Sequence, residues 1–412
     1  MKISLCTLGC RVNQSESSVL EGSLKKHGAT IVALTENPDV CIINTCTVTQ
    51  KSDYTSRQLI RRATRTGARV IVTGCYSQLA REGVLSLSGE ITVVDNKDKL
   101  DIVGMITDVS APLTYHDHTQ TRPYLKVQDG CNYRCTYCSV PLARGKSVSI
   151  PIDDLVERVM QISATKHEVV LTGIHLGTYG HDLPGGKRTI NDLLRALLDR
   201  TDIHRIRLSS LEINEIDDET LRIMQDKRIC RNLHIPLQSG SDKILKLMQR
   251  NYGSAAYKRR IMGVADRLGD IGLGTDIITG FPEEGIHEFQ ETLELVTEMP
   301  FTYLHVFPFS SRPGTAASSM KNRPSPAETK RRTDLLLDLG QTKKRHYMTG
   351  QIGVTQEIIV EGHTSAGSSV GTSSNYLKIS VSASDLPRGT IADVRPFRLK
   401  KDSLEGVLIK SS

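Results

Sequence analysis

No apolar run in the 412 residues approaches the roughly 18 that a membrane-spanning helix needs, so no membrane partner is expected. Nor is there the apolar h-region of an export signal, because Met1–Cys6 runs straight into a short strand-like segment. Both absences predict an intracellular, cytoplasmic protein. In that setting its nine cysteines point to metal binding rather than to disulfides. Acidic residues are missing from one long stretch, with none between Asp53 and Glu82. Within it Arg57, Arg61 and Arg65 recur every four residues on a helix-like segment, sharing a face, while Leu59, Ile60 and Ala63 point elsewhere. Such a stripe is either a solvated helix face or a phosphate contact. What is present fits a globular chain of two to three domains, with 38% hydrophobic and 24% charged residues. A net charge of +7 favours an anionic partner.

The densest chemistry lies in Gly130–Gly145, GCNYRCTYCSVPLARG, which packs Cys131, Cys135 and Cys138 into eight residues. Three thiolates on one loop can turn onto one centre, and thiolate suits soft metals and iron–sulfur clusters. Such clusters usually take four cysteines, so a trio leaves one iron open. In zinc enzymes an open position marks a catalytic site, and an open iron would do the same. A zinc knuckle borrowing a fourth ligand is the alternative, although CxxxCxxC is not a usual zinc spacing. The run resembles the radical S-adenosylmethionine (SAM) superfamily, in which SAM chelates the open iron. Tyr137, before the last cysteine, fits that pattern.

Upstream, Ile3–Cys6, Val40–Ile43 and Val70–Val72 are short apolar runs separated by helix-like segments, as in a parallel α/β sheet. A cysteine follows each within a few residues: Cys10, Cys46 and Cys75. Ligands of open α/β sheets gather at the carboxyl ends of strands, so these three are expected to converge in a second three-cysteine site. Cys6 and Cys41 fall inside the runs, and Cys230 stands alone before LHIPL. All three read as small core residues. Ala111–Pro123, with His116 and His118, reads as a linker.

Beyond the linker six strand-like runs alternate with helical segments: Tyr124–Gln128, Glu168–Leu171, Arg205–Leu208, Leu233–Leu237, Leu273–Ile278 and Tyr303–Phe307. Helical period marks Asp153–Thr165, Ile190–Arg200 and Glu288–Met299. This predicts a partial (β/α)6 barrel with functional groups on the loops after the strands. After the cysteine loop these read Thr172–His175, Ser209–Glu212, Gln238–Ser241, Thr279–Glu283 and Pro308–Arg312. Lys321–His346 carries eight Lys/Arg against Glu328, Asp334 and Asp338, much of it a helix (Glu328–Tyr347) with Leu335–Leu337 and Leu339 as its apolar face. From Gln356 short strands follow at Glu357–Glu361, Tyr376–Val381, Ile391–Phe397 and Val407–Ile409, the pattern of a small β-barrel. Small β-barrels often bind nucleic acid, although a packing domain without a ligand has the same pattern.

Nearly end to end, the chain resembles the radical-SAM methylthiotransferases. GCRVNQSES, VTQKSDYTSRQLIRRA and LSSLEINEIDDE look closest to the branch acting on threonylcarbamoyladenosine at tRNA position 37. The resemblance implies an N-terminal methylthiotransferase domain at 1–110, a radical SAM core at 120–345 and a TRAM-like RNA-binding domain at 348–412. It implies two [4Fe–4S] clusters, an auxiliary one on Cys10, Cys46 and Cys75 and a SAM-binding one on Cys131, Cys135 and Cys138. Tyr137, Thr172, Gly173, Ser210, Glu212 and Gln238 are the residues it offers for SAM. The implied partners are the anticodon loop of tRNA, a reductant and a sulfur donor. Carbon 2 of adenine bears an unactivated C–H that no side-chain acid or base opens usefully, which is why such a reaction needs a cofactor radical. Arg144 and Arg312, on predicted rim loops, are candidates to read the substrate carboxylate. The fifth loop departs from the family, reading PEE where PGE is frequent. Two alternatives stay open: a sister substrate (isopentenyladenosine or a ribosomal-protein aspartate), and a non-catalytic iron–sulfur RNA-binding or redox-sensing protein.

Overall fold

A computed structural model describes residues 1–87, 89–107, 120–364, 367–382 and 385–411. The histidines of the expected linker, His116 and His118, lie outside the described residues. The chain forms two compact units, Met1–Ile150 with Thr172–His175 and Ser310–Ser319, and the remainder to the C-terminus.

In the first unit the elements run β1 (Lys2–Thr7), α1 (Arg11–Lys26), β2 (Thr30–Ile31), β3 (Val40–Thr45), α2 (Gln50–Thr64), β4 (Arg69–Gly74), α3 (Cys75–Leu79), α4 (Arg81–Leu85), β5 (Ile91–Val93) and α5 (Ile102–Thr107). There follow β6 (Tyr124–Lys126), β7 (Gln128–Asp129), α6 (Val140–Arg144) and β8 (Val148–Ser149). The first five strands make one parallel sheet of order β2-β1-β3-β4-β5. Successive residues of a strand face opposite ways, and β3 uses both faces. Val40 and Ile42 join Ile3, Leu20, Leu24 and Ile71 on one side, whereas Cys41 and Ile43 join Ile60, Ala63, Val70 and Val72 on the other. A sheet covered on both faces explains why the strands read as continuous apolar runs. Cys41 and Cys230 are core residues as expected, while Cys6 is only half-buried.

The second unit holds α7 (Ile152–Ser163), β9 (Glu168–Thr172, its last residue in the first unit), α8 (Ile190–Arg200), β10 (Arg205–Leu208), α9 (Asp218–Ile223), β11 (Asn232–His234), α10 (Asp242–Leu247) and α11 (Ser254–Leu268). It continues with β12 (Gly272–Thr279), α12 (Ile286–Glu298), β13 (Tyr303–Pro308) and α13 (Pro326–Gly350). β9 pairs parallel with β10, and β11, β12 and β13 form a parallel sheet in that order. Isolated bridges Ile206↔Ile229 and Ser210↔His234 join β10 to the β11 side. The strand expected at Leu233–Leu237 ends at His234, because Pro236 has no N–H to give to the ladder. On α13 only Leu336 of the predicted leucine face is buried; Leu335 and Leu337 are exposed. Neighbouring helix positions are about 100° apart, so three consecutive leucines cannot share one face.

The chain ends in a closed barrel of order β14-β15-β16-β18-β17 from β14 (Gln356–His363), β15 (Ser369–Ser373), β16 (Lys378–Val381), β17 (Ile391–Leu399) and β18 (Leu404–Ser411). Strand β15, SVGTS, is missing from the sequence expectation because it lacks an apolar alternation and lies in the glycine- and serine-rich gap. Both arginines of β10 turn to this barrel. Arg205 donates to the Glu357 carboxylate and the Thr372 carbonyl, and Arg207 to the carbonyls of Ser373 and Ser374. Buried Glu168 balances Arg207 at 2.7 Å.

Candidate iron–sulfur and SAM site

The strand order of the first sheet reverses between β1 and β3, the switch point at which open α/β sheets take their ligands. Cys10 follows β1 and caps α1, Cys46 directly follows β3, and Cys75 opens α3 directly after β4. Two of the three sulfurs therefore stand at helix N-termini, where the backbone favours negative charge. Gly9 has φ 101°, and a Cβ there would lie 2.8 Å from both Cβ and Sγ of Cys46. The close approach of the Cys10 loop to Cys46 thus requires glycine. Burial pushes the Cys75 thiol up, the Arg144 guanidinium pulls against that rise, and the Cys10 sulfur adds to it. Cys46 is likewise pushed up by burial, eased by the Val48 backbone and raised again by Cys75 and Cys10. Each of these two buried thiols is near enough to its fellow cysteines to be shifted by them. A cluster would relieve the unfavourable burial by taking them as thiolates. Replacing Gly9 with valine is expected to cost the auxiliary cluster, read as a loss of about half the iron after anaerobic reconstitution, about four of eight atoms for two cubanes. Full iron in that variant would contradict the close-packing argument.

The second trio sits in a loop held by one carboxamide. Gln128 on β7 donates through Nε2 to the carbonyls of Asp129 and Gly130 and to Ser147 Oγ, at 2.7–2.8 Å. Its Oε1 accepts from the His175 backbone at 2.9 Å. The Cys131–Cys138 loop is therefore tied to the loop after β9 by a fully buried side chain that the sequence reading overlooked. The signal for it in the sequence is a carboxamide closing the strand-like run YLKVQ. His175 ends the loop after β9, and its Nδ1 lies 3.4 Å from Cys131 Sγ while its ring meets Tyr133 edge-on at 4.2 Å. The Tyr133 amide donates to Cys131 Sγ at 3.4 Å, a contact of the kind that tunes cluster potentials. Cys131, Cys135 and Cys138 are all half-buried, hence reachable by a small cofactor. Among the described residues the spacing for a single metal ion is met elsewhere, where three ligand atoms of His234, Asp276 and His305 lie within 4.8 Å.

Of the residues expected to hold SAM, Tyr137, Thr172 and Gly173 belong to the first unit, as do all six cysteines expected to hold the clusters. Gly173 stands against Gln128, where a Cβ would be 2.9 Å from Oε1. Ser210, Glu212 and Gln238 belong to the second unit. Ser210 is exposed, and Glu212 forms an ion pair with buried Arg250. Gln238 is buried in a left-handed conformation uncommon for a side-chain-bearing residue, the kind of strain that clusters at binding sites. The departure in the fifth loop has a structural reading. Glu283 of the PEE triplet adopts φ 67°, where the glycine of PGE would sit without strain. Glu284 keeps the loop closed by accepting from the Gly280 amide and from Arg332.

Arg144 and Arg312 are both engaged within the protein. Arg144 binds Asp129, Glu16 and Asn13 and donates through Nε to Cys75 Sγ at 3.2 Å. Arg312 binds Asp53 and Thr47. In the arginine stripe Arg57 donates to Tyr76 Oη, Arg61 is exposed, and Arg65 caps the C-terminus of α2.

A CxxxCxxC loop of three cysteines on a parallel α/β scaffold is the arrangement of a radical SAM protein. The model of the radical SAM superfamily matches residues 125–296, and that of an uncharacterized family, UPF0004, matches residues 2–95. The chain is 36% identical to the threonylcarbamoyladenosine tRNA methylthiotransferase MtaB of Aquifex aeolicus, over 84% of this chain and 90% of that one. It is 30% identical to the tRNA-2-methylthio-N(6)-dimethylallyladenosine synthase of Aliarcobacter butzleri, over 99% of each. The radical SAM methyltransferase TsrM from Kitasatospora setae shares the fold, with TM-score 0.59 and 14% identity, over 77% of this chain and 75% of that one. The chain belongs to the radical-SAM methylthiotransferase family, near its MtaB branch. Its cofactors are accordingly SAM and [4Fe–4S] clusters. No described helix is long and apolar enough to cross a membrane.

Proposed function

We propose that this protein methylthiolates carbon 2 of N6-threonylcarbamoyladenosine at position 37 of tRNA, in the cytoplasm. The observation that carries the reading is the second thiolate trio at the sheet's switch point, which a radical SAM enzyme that only abstracts hydrogen does not need. Cys131, Cys135 and Cys138 would hold the cluster that binds SAM, with Tyr137, Thr172, Gly173, Ser210, Glu212 and Gln238 around the cofactor. Cys10, Cys46 and Cys75 would hold the auxiliary cluster. Together the bound cofactors would supply the one-electron chemistry for an unactivated C–H bond and the site for sulfur. The chain's own part is to position them: Gln128 fixes the first loop, Gly9 admits the second, and Arg144 donates to a sulfur of the auxiliary trio. Domains at 1–110, 120–345 and 348–412 fit this division of labour, with the C-terminal barrel gripping an anticodon loop whose bases are exposed. A reductant and a sulfur donor complete the partners.

The substrate assignment is supported by several relatives that carry the threonylcarbamoyladenosine name at 32–36% identity, against 30% for the dimethylallyl branch. The test is a competition between the two modified tRNAs with reconstituted enzyme, read by nucleoside mass spectrometry. The threonylcarbamoyl substrate should give the methylthio product at least tenfold faster, because a site built for polar atoms leaves them unpaired against hydrocarbon. Preferred product from the isopentenyl tRNA, or thiolation only of a ribosomal protein, would sink the assignment.

A further inference from the structure

With Arg144 and Arg312 engaged internally, the polar substituent of the substrate needs another reader. Helices cover one face of the β11-β12-β13 sheet: Gly340 of α13 meets Leu304, and Tyr257 of α11 donates to the Ile235 carbonyl and lies 3.4 Å from Thr275 Oγ1. The alternate residues face the other way. There Asp276 is the common partner of His234 Nε2 at 2.9 Å and His305 Nδ1 at 3.2 Å. Burial pushes the Asp276 carboxyl up, but hydrogen bonds from both imidazoles outweigh it and hold the group far below the usual carboxylate range. A carboxylate so held keeps one ring nitrogen of each histidine turned to itself. His234 is nearly buried and its Nδ1 faces the Tyr303 hydroxyl at 3.2 Å, so both its nitrogens are used. His305 differs: its side chain is 54% exposed, with Nδ1 on Asp276 and Nε2 on the far side of the ring.

The rings form a continuous lining. Tyr376, Tyr303, His234, His305 and Phe307 follow one another with centroids 5.0 to 6.3 Å apart. Gly274 makes this possible, because a Cβ there would stand 2.0 Å from Cζ of Tyr303. Phe307 is 43% exposed and lies nearer the carboxyl end of β13, the end at which α/β barrels meet their substrates. His305 and Tyr303 also line a cavity of about 300 Å³ together with Tyr376, Lys344 and Lys378. An exposed aromatic beside a fixed N–H donor is what an unstacked base with an anionic substituent requires.

We infer that His234, Asp276 and His305 form a carboxylate-binding subsite, in which His305 Nε2–H donates to the carboxylate on the modified adenosine while Phe307 stacks on its base. This rests on the proposed substrate and deepens it. The experiment uses reconstituted protein and anticodon stem-loop RNAs whose position 37 carries threonylcarbamoyladenosine, its neutral carboxamide, or isopentenyladenosine. Binding is read by fluorescence anisotropy and product by mass spectrometry. The wild type should bind the free acid about tenfold or more tighter than the carboxamide, the scale of one charge-assisted hydrogen bond. His305→Phe, which keeps a ring, should bring that preference within about twofold by weakening free-acid binding more than carboxamide binding. His305→Gln, the smaller perturbation, should behave alike. Undiminished acid preference in both variants would overturn the subsite. So would stoichiometric zinc or manganese in the wild type that either variant loses, which would make the trio a metal site. A wild type that does not methylthiolate the free-acid RNA fails the proposed function instead, and the two failures are thus separate.

Discussion

Replacing Cys10, Cys46 and Cys75 together with alanine should halve the iron of the anaerobically reconstituted protein, from about eight atoms per chain to about four. SAM cleavage should survive in part, and methylthio product should vanish. The complementary variant, with Cys131, Cys135 and Cys138 replaced, should also lose about four irons but abolish SAM cleavage outright. The asymmetry follows from where each trio sits. The first is spread over three strand ends of one sheet, whereas the second lies on one loop whose conformation is set by Gln128 and by the Cys131 amide donating to the Gly145 carbonyl. Because the trios share no ligand, losing one should spare the coordination of the other. A first variant that kept all its iron would show that the three strand ends do not form a cluster site. A second variant that still cleaved SAM would move the radical chemistry away from the CxxxCxxC loop.

Much of this was legible in the sequence. Parallel strands buried on both faces leave unbroken apolar runs, so β3 and β4 could be read to within three residues. The cysteines could be placed because a residue just past a strand has few places to go. Other features had no local signature. Strand β15 is stabilised by pairing with β14 and β16, which no property of SVGTS announces. The Gln128 clamp reaches Ser147 and the His175 amide, contacts set by tertiary structure. His234, Asp276 and His305 come from three strands and meet only through register, with Asp276 opposite His305 and His234 opposite Gly274. Arginines on a rim loop look alike in sequence whether they face a ligand or a buried carboxylate. Arg144 belongs to the second kind.

The Arg144→Met variant should lose about 3–5 kcal/mol of stability, the usual result of breaking a buried ion pair from one side. The side chain of Arg144 is 1% exposed and that of Glu16 3%, with Lys99 and Lys126 as the other cations on Glu16 and Asp129 shared between Arg144 and Lys126. Removing the guanidinium also strips donors from Asn13 Oδ1 and Cys75 Sγ. Burial alone would push the Glu16 carboxyl up, but Arg144 foremost, then Lys99 and Lys126, hold it well below its usual value. A depressed carboxyl contributes stability that is complete above its unfolded pKa, about 4.3, and is lost as pH falls through its lower folded value. Without Arg144 the depression shrinks, so the stability above pH 4.3 should drop and acid unfolding should begin at a higher pH. The measurement is urea and acid unfolding of cluster-free protein, followed by circular dichroism, which separates this network from any stabilisation by bound metal. Arg144→Lys retains the charge but loses the two-sided geometry, and should fall between the variant and the wild type. Coincident urea midpoints and acid transitions for Arg144→Met and the wild type would mean that Glu16 is adequately held by the two lysines, and that Arg144 does not carry the stability of this network.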